Sequence, residues 1–442
     1  MKFYNREKEL ERLSQTREIA FSNHSQMTVL TGRRRIGKTK LILKSCEGTP
    51  TVYLFVSRSN ETMLCSQFSQ IASQSLNTFI PSQFVSFVEF FEMIMGLGES
   101  KKFNLVIDEF QEFFYINPSI YSGMQDIWDR YKDSTHVNLI ASGSVYSLMH
   151  RIFQDYREPL YGRCDSIIKL RPFETPVLKE ILSEHKPNYT KEDLLALYTF
   201  TGGVPKYIEN FMDNHCTDTS KMVDFMMLPD SPFQNEGRAL LIQEFGKKYG
   251  NYFALLSAIA NGNNTLSRLE ELMGETSITG HLKRLEEDYE LIKKKRPIFA
   301  KEGTQTVRFE ISDLFLRFWF RYFIKYHNLV ETENLEQLGT IIKNDFPTYS
   351  GLTLEMYFRQ KMIESKKFQD IGSWWQVKKE EEPCEIDIVG IYTEGQKALV
   401  AEVKRQRKNF KPEEFQQKIE ILKNKVLFKY EIETKNLCMD DM

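Results

Sequence analysis

The segment "LTGRRRIGKTKL", Leu30 to Leu41, decides the fold of the first part of this chain. Gly32, Gly37, Lys38 and Thr39 satisfy the pattern GxxxxGK[ST], directly after an apolar run. Glycines at this spacing let backbone N–H groups close around phosphate oxygens, the lysine reaches the β- and γ-phosphates, and the threonine ligates magnesium. The alternative is a basic turn. We predict a loop that binds ATP and Mg²⁺ through Gly32, Arg33, Arg34, Arg35, Ile36, Gly37, Lys38, Thr39 and Lys40, with Lys38 also acting in catalysis.

The pattern around this loop predicts an α/β core. A strand over Met27 to Thr31 enters the loop and a helix over Lys38 to Ser45 leaves it. Up to about Phe173, further short apolar runs ("TVYLFV", "FNLVIDE", "VNLIAS", "SIIKL") alternate with helical segments. This alternation is typical of a parallel sheet covered by helices.

Carboxylates follow one of these strands. In "LVIDEF", Asp108 and Glu109 end a buried strand, where a magnesium ligand and a general base are required. We predict Asp108 in the coordination shell of the metal and Glu109 as the base. The next strand ends in "ASGS", so Ser142 or Ser144 is a candidate polar sensor of the γ-phosphate, although serines are also ordinary turn residues.

Length and composition indicate several ordinary globular domains. The chain has 442 residues, 41% hydrophobic and 27% charged, with a net charge of -2, so any nucleic-acid contact requires a local basic patch. Six cysteines form no CxxC pair and the histidines show no metal-ligand spacing, which argues against disulfides and zinc. The charged N-terminus and the lack of a long apolar run predict a cytoplasmic protein that does not bind membranes.

The fold class that we predict is α/β multidomain, with four domains. They are a P-loop core with a parallel sheet (1–173), a helical lid (174–240), a winged helix-turn-helix (241–330) and a C-terminal α/β domain (331–442). In the winged helix, a recognition helix near Ser277 to Leu285 would carry Lys283 and Arg284, and Lys293 to Arg296 would form a basic wing tip. The same fold also serves as a spacer, and acidic residues flank the helix, so DNA binding and a spacer role both stay open.

The segment "EIDIVGIYTEGQKALVAEVK" predicts a hairpin with paired carboxylates. If Glu394 and Gly395 form a two-residue turn, Asp387 faces Glu402 directly across the strands, and Lys404 lies on the same face. Like charges in this position are destabilising, so we expect a divalent cation between them. The nearby basic "KRQRKNFK" is consistent with phosphate contact or with a solvated helix start.

Three further stretches carry a family resemblance. "PLYGR" (Pro159 to Arg163), "GGVPKY" (Gly202 to Tyr207) and "FYNREKEL" near the N-terminus resemble archaeal-type P-loop ATPases of the AAA+-related signal-transduction class, over the whole chain. The resemblance implies that Arg163 senses the γ-phosphate as a catalytic group, in cis or in trans. It also implies that the turn ending at Pro205 couples the lid to the nucleotide, and that Asn5 and Arg6 lie beside the base.

The C-terminal pattern, Asp387 followed by an ExK motif, resembles the restriction-endonuclease-like (PD-(D/E)xK) nucleases. By that resemblance Asp387 and Glu402 hold Mg²⁺, Lys404 steadies the attacking water or the scissile phosphate, and Glu355 in "GLTLEMYFRQKM" orients or ligates the metal. The alternatives are a retained fold with surface charges and a degenerate nuclease that only binds.

Two functions therefore follow from the sequence. In the first, ATP binding and hydrolysis drive a switch whose C-terminal domain acts on DNA, which makes the chain an ATPase and a candidate metal-dependent endonuclease. In the second, a nucleotide-gated signalling ATPase uses an inactive nuclease-like domain as a docking module. A second copy of the chain or another protein is a further candidate partner.

Overall fold

The computed structural model describes residues 1–246, 249–274, 277–301, 303, 307–376 and 384–442. The chain forms two compact units, one of Tyr4–Arg171 and the other of Pro172–Met442 together with Met1–Phe3. This boundary falls close to the predicted end of the P-loop core at residue 173. The finer division of the second unit into lid, winged helix and C-terminal domain stays a prediction.

The first unit is built on five parallel strands, as predicted. They are β1 (Gln26–Thr31), β2 (Thr51–Phe55), β3 (Phe103–Asp108), β4 (Val137–Gly143) and β5 (Ser166–Lys169). Their order across the sheet is β2-β3-β4-β1-β5. β1, β3 and β4 are buried along their whole lengths, which explains their continuous apolar sequences. Because the strands are parallel, the residues that follow β1, β3 and β4 meet at one edge of the sheet.

Helices cover both faces of this sheet. They are α1 (Glu7–Ser22), α2 (Lys38–Cys46), α3 (Glu61–Leu76), α4 (Phe87–Leu97), α5 (Phe113–Ile116), α6 (Ile120–Tyr131) and α7 (Tyr146–Gln154). Leu13 of α1 and Leu41 of α2 pack with Val106 and Ile140 in one core layer. The other layer is rich in aromatic side chains from α3, α4 and α6. The two cores hold the sheet edge, and therefore the candidate site, in a rigid frame.

The second unit begins with helices and an antiparallel ribbon. The helices are α8 (Thr175–His185), α9 (Lys191–Thr201), α10 (Pro205–Asp213), α11 (Thr219–Met226), α12 (Pro232–Phe245), α13 (Tyr249–Ala260), α14 (Leu266–Met273) and α15 (Thr279–Glu287), and the ribbon is β6 (Ile292–Lys295) with β7 (Arg308–Ile311). Three helices followed by a two-stranded ribbon is the element order predicted for residues 241–330.

A four-stranded mixed sheet closes the chain. After α16 (Leu314–Trp319), α17 (His327–Glu331) and α18 (Leu335–Glu364) come β8 (Phe368–Trp375), β9 (Glu385–Tyr392), β10 (Lys397–Val403), α19 (Pro412–Lys425) and β11 (Glu431–Leu437). The order is β11-β10-β9-β8, with β8, β9 and β10 antiparallel and β11 parallel to β10. This confirms the predicted α/β character of the C-terminal region.

Contacts within the second unit join the ribbon region to this sheet and the first helix, α8, to α18. The Ile298 N–H donates to the Ser373 carbonyl at 2.9 Å, and Arg308 Nη1 donates to Glu385 Oε1 at 2.7 Å. At the lid, Thr175 Oγ1 donates to Glu364 Oε2 at 2.6 Å. The parts predicted as lid, winged helix and C-terminal domain therefore pack as one body.

Candidate functional site

The phosphate-binding motif forms a tight loop between β1 and α2. Gly37, directly before α2, has a φ of 94°, a left-handed conformation that L side chains rarely adopt. At Gly32 a Cβ atom would approach the Leu170 carbonyl oxygen to 3.0 Å. Both glycines are thus required by the backbone, one by its conformation and the other by close approach.

Lys38 and Ile36 fix the loop from inside. Ile36 is buried in the core layer of α1 and α2. Lys38 is also buried, and its Nζ donates to the carbonyl of Gly32 at 2.8 Å and to that of Arg33 at 3.2 Å. The ammonium group therefore lies over the loop's own backbone, where a phosphate would contact it.

The other predicted loop residues surround this turn. Arg34 and Lys40 are exposed, while Arg33 and Arg35 are partly buried. Arg35 has a φ of 67°, which is uncommon for a residue with a side chain. Their predicted contacts with the nucleotide stay predictions.

Asp108 connects β3 to the loop. Its Oδ2 accepts a hydrogen bond from Thr39 Oγ1 at 3.1 Å, and its Oδ1 accepts one from the Glu109 N–H at 3.0 Å. Oδ2 also accepts a hydrogen bond from the hydroxyl of Tyr53 in β2, which the sequence analysis did not single out. Burial and this carboxylate raise the pKa of Tyr53. The two residues predicted to hold magnesium, Thr39 and Asp108, are therefore in direct contact.

Glu109 is held to one side by two donors. It has a left-handed φ of 54°, and its Oε2 accepts from Ser144 Oγ at 2.7 Å and from Gln111 Nε2 at 2.5 Å. Ser144, rather than Ser142, therefore contacts the predicted base. The Oγ of Ser142 is buried and has no hydrogen-bond partner among the described residues. Gln111 was missed because a buried glutamine after a strand has no distinctive spacing.

Asn5 and Arg6 precede α1 and both have left-handed φ angles, 53° and 83°. Arg6 Nη2 donates to the carbonyl of Arg171, the residue after Leu170. Because Leu170 contacts Gly32, Asn5 and Arg6 lie on the same side of the sheet as the loop. This position supports the prediction that Asn5 and Arg6 lie beside the base of the nucleotide, which stays a prediction.

Arg163 and Pro205 are not brought to the loop within the first unit. Arg163 lies before the amino end of β5, and its Nη2 donates to Asp129 Oδ2 at 2.9 Å. Since the loop follows the carboxyl end of the parallel β1, Arg163 is at the opposite edge of the sheet. Pro205 begins α10 in the second unit. The roles implied for both residues stay predictions.

The basic ribbon differs from the predicted wing tip. Lys293 and Lys294 are exposed on β6, and Arg296 follows it, also exposed. Lys295 turns inward, where its Nζ pairs with Glu310 Oε2 at 2.9 Å and burial lowers its pKa. The four-residue basic tip is therefore corrected to three exposed cations, because the charge of Lys295 is paired with Glu310 of the neighbouring strand β7.

The recognition helix that the sequence predicts corresponds to α15. It begins at Thr279, two residues later than predicted, and carries Lys283 and Arg284. Lys283 Nζ lies 3.7 Å from Glu287 Oε2, so an acidic neighbour one helical turn away is close to this cation.

The C-terminal hairpin has the predicted register. Ala398 pairs with Ile391 and Ala401 with Ile388, so the next pair along the strands is Glu402 opposite Asp387. The connection is longer than predicted, because the strands end at Tyr392 and resume at Lys397. Asp387 Oδ2 accepts the Val403 N–H at 2.8 Å. Burial, and then the charge of Glu402, raise the pKa of Asp387 to about 6.

Glu402 is buried and bound by two lysines. Its Oε1 accepts from Lys404 Nζ at 2.9 Å, in agreement with the prediction that both side chains lie on one face, and from Lys418 Nζ of α19 at 3.0 Å. Burial lowers the pKa of Lys404, but its hydrogen bond to Glu402 and the charges of the nearby carboxylates together outweigh this and raise the pKa overall. Lys418 was missed because its contact depends on how α19 packs on the sheet.

Glu355 lies in α18, partly buried, near the same carboxylates. Burial, and then the charge of Asp387, raise the pKa of Glu355 to about 8. Across the residues that the structure describes, no three His, Cys, Asp or Glu side chains converge closely enough to hold a metal ion. Glu355, Asp387 and Glu402 therefore do not form a ready three-carboxylate set, and their metal roles stay predictions.

The basic run after β10 is largely engaged within the chain. Arg405 pairs with Glu192 of α9, Arg407 with Asp441, and Lys411 with Glu414. These ion pairs leave less positive charge for phosphate than the sequence alone indicates.

The fold and the loop agree with comparisons to known proteins. The family described as an ATPase domain predominantly from Archaea matches residues 3–211, and a family of archaeal and bacterial proteins of unknown function (DUF234) matches residues 319–417. The uncharacterized protein MJECL04 of Methanocaldococcus jannaschii is 31% identical over 415 residues, covering 91% of this chain and 87% of that protein. The chain belongs to the archaeal-type ATPase family. The predicted resemblance to archaeal-type ATPases that carry a C-terminal domain is thereby confirmed, whereas the nuclease-like character of that domain stays a prediction.

Two solved structures show the same fold as this ATPase. The Walker-type ATPase PABY2304 of Pyrococcus abyssi is 18% identical with a TM-score of 0.55, covering 72% of this chain and 96% of that one. The ORC2 protein of Aeropyrum pernix, in its ADPNP–ADP complexes, is 12% identical with a TM-score of 0.50, covering 78% and 96%. Within the described part of the chain, no helix has the length and apolar character needed to cross a membrane.

Proposed function

We propose that this ATPase binds ATP with Mg²⁺ at the loop between β1 and α2 and hydrolyses it with Glu109 as the general base. The observation that carries the proposal is the 3.1 Å hydrogen bond between Thr39 Oγ1 and Asp108 Oδ2. It brings a hydroxyl and a carboxylate, the oxygen ligands that magnesium prefers, to the start of the phosphate-binding helix. The nucleotide seen in the Aeropyrum ORC2 structure supports the same choice of ligand.

Each group has a distinct task in this proposal. Lys38 and the N–H groups of the loop bind phosphate oxygens, since the helix N-terminus and the ammonium group both favour negative charge. Magnesium, when bound, would supply further positive charge beside the phosphates. Glu109 takes the proton of the attacking water. Its Oε2 accepts hydrogen bonds from both Ser144 and Gln111 in this structure, so Glu109 must first release at least one of these two donors.

Two variants test this proposal. Lys38→Ala should weaken ATP binding, measured by titration with a fluorescent ATP analogue. Glu109→Gln should bind ATP as the parent does and hydrolyse it at least ~100-fold more slowly, the loss of a positioned base. If Glu109→Gln hydrolysed ATP at the parental rate, Glu109 would not be the general base. If Lys38→Ala bound ATP as the parent does, the proposed nucleotide site would be wrong.

We further propose that the nucleotide state controls a C-terminal site at Asp387, Glu402 and Lys404 that hydrolyses DNA with a divalent cation. The hairpin register supports this, since it sets two carboxylates opposite each other at a cost that a cation would offset. Lys293, Lys294 and Arg296 would supply contacts to DNA phosphates.

One observation favours a second candidate, a docking module without nuclease activity. Glu402 already has Lys404 and Lys418 as partners, so a cation must displace at least one of them. A nicking assay on plasmid and short duplexes with Mg²⁺ or Mn²⁺, with and without ATP, separates the two. Metal-dependent nicking that disappears in Asp387→Ala supports the nuclease, whereas its absence in the parent protein under every condition supports the docking module.

A further inference from the structure

Tyr53 reaches the nucleotide site from the edge strand of the sheet. Its ring belongs to β2, where Tyr53 is in register with Val106 of β3, and packs against the core layer of α1 and α2. Its hydroxyl donates to Asp108 Oδ2, the oxygen that also accepts from Thr39. A side chain on β2 is thereby joined to the carboxylate that ends β3.

Among the residues that the structure describes, three groups donate hydrogen bonds to the Asp108 carboxylate, and binding of magnesium would affect each of them differently. The Glu109 N–H is part of the backbone and stays with Oδ1. The Thr39 hydroxyl is the group that turns to magnesium in loops of this type. When it does, the Tyr53 hydroxyl is left as the side-chain donor that holds Oδ2. A carboxylate held in this way keeps its other lone pairs directed at the cation or at its water.

We propose that Tyr53 is a positioning residue that holds Asp108 for the divalent cation bound with the nucleotide. This inference rests on the proposed nucleotide site. A tyrosine with only a structural role could make the same hydrogen bond. Loss of its hydroxyl would then lower the stability of the fold but would not change the Mg²⁺ concentration that nucleotide binding requires. The dependence of nucleotide binding on Mg²⁺ concentration therefore distinguishes the two roles.

The test compares Tyr53→Phe with the parent and with Tyr121→Phe. Tyr121 is a buried tyrosine of the same unit whose hydroxyl lies 3.4 Å from the Phe110 carbonyl, so its loss controls for removing a buried hydroxyl. Binding of a fluorescent ATP analogue is titrated in EDTA and across a series of MgCl₂ concentrations. In EDTA, Tyr53→Phe should bind the analogue as the parent does. In the MgCl₂ series, Tyr53→Phe should need about a tenfold higher Mg²⁺ concentration to reach half of the Mg²⁺-dependent increase in binding, because a hydrogen bond to a charged group is lost. Tyr121→Phe should follow the parent in both.

A double-mutant cycle with Asp108→Asn tests whether Tyr53 acts through Asp108. Adding Tyr53→Phe to Asp108→Asn should change the Mg²⁺ dependence by less than twofold. Equal Mg²⁺ dependence in Tyr53→Phe and the parent, or an equal loss of binding with and without Mg²⁺, would overturn the inference. Parental binding by Lys38→Ala would instead overturn the nucleotide site on which it rests.

Discussion

Replacing Glu355 by glutamine should stabilise the second unit, and the gain should grow with pH. The pKa of Glu355 is about 8 in the folded chain against an ordinary value of 4.5, because burial and Asp387 oppose its ionisation. For an acid whose folded pKa is raised, the unfolded chain loses its proton first, so stability falls as pH rises from 4.5 towards 8. Glutamine has a similar shape and does not titrate.

The magnitude follows from these two pKa values. Keeping Glu355 protonated in the folded chain costs about 1 kcal/mol at pH 5.5, about 3 kcal/mol at pH 7 and about 4 kcal/mol at pH 8. For a unit of this size, each kcal/mol changes the melting temperature by about 2–4 °C. Glu355→Gln should therefore raise the melting temperature by several degrees more at pH 8 than at pH 5.5.

Differential scanning calorimetry of the full chain at both pH values measures this effect, with Glu420→Gln as the matched control. Glu420 is exposed on α19, so its replacement removes the same charge without relieving burial. If the two variants shift the melting temperature equally at both pH values, Glu355 is not held protonated and the reasoning fails.

Three further outcomes are expected. Ser144→Ala removes one of the two donors to Glu109 and should change the rate of ATP hydrolysis by about 1–2 orders of magnitude without altering ATP affinity, which paired turnover and binding measurements will show. Replacing Lys293 and Lys294 together by alanine should weaken binding to all duplex sequences alike and reduce the salt slope by about 1–2, and an unchanged slope would return the ribbon to a spacer role. Asp387→Asn should abolish any Mn²⁺-dependent nicking, so nicking that persists would point to a contaminating nuclease.

The local parts of the site are predictable from the sequence, since they depend on short-range patterns. The loop from Gly32 to Thr39, the strand that ends at Asp108 and the hairpin register at Asp387 all follow from spacing and alternation. Contacts between elements distant in sequence are not predictable in this way. Tyr53 reaches Asp108 only because β2 lies beside β3.

The same limit applies to charge. Lys293 to Arg296 is a run of four cations in the sequence, but Lys295 is paired with Glu310 of β7. The run after β10 is likewise reduced by ion pairs with Glu192 and Asp441, which lie far away along the chain. The sequence gives the number of charged side chains, but which of them form ion pairs and which face solvent depends on the fold.

The two ends of the first unit are in contact with each other. Residues Met1–Phe3 belong with Pro172–Met442, so the chain leaves that body after three residues and returns to it at Pro172. Arg6 Nη2 donates to the carbonyl of Arg171 at 2.7 Å, which joins the beginning of this unit to its end. Close termini are common in protein domains. The ATPase-domain match to residues 3–211 runs past Arg171, so Tyr4–Arg171 is shorter than that domain and a fragment made for study of the ATPase should reach at least residue 211.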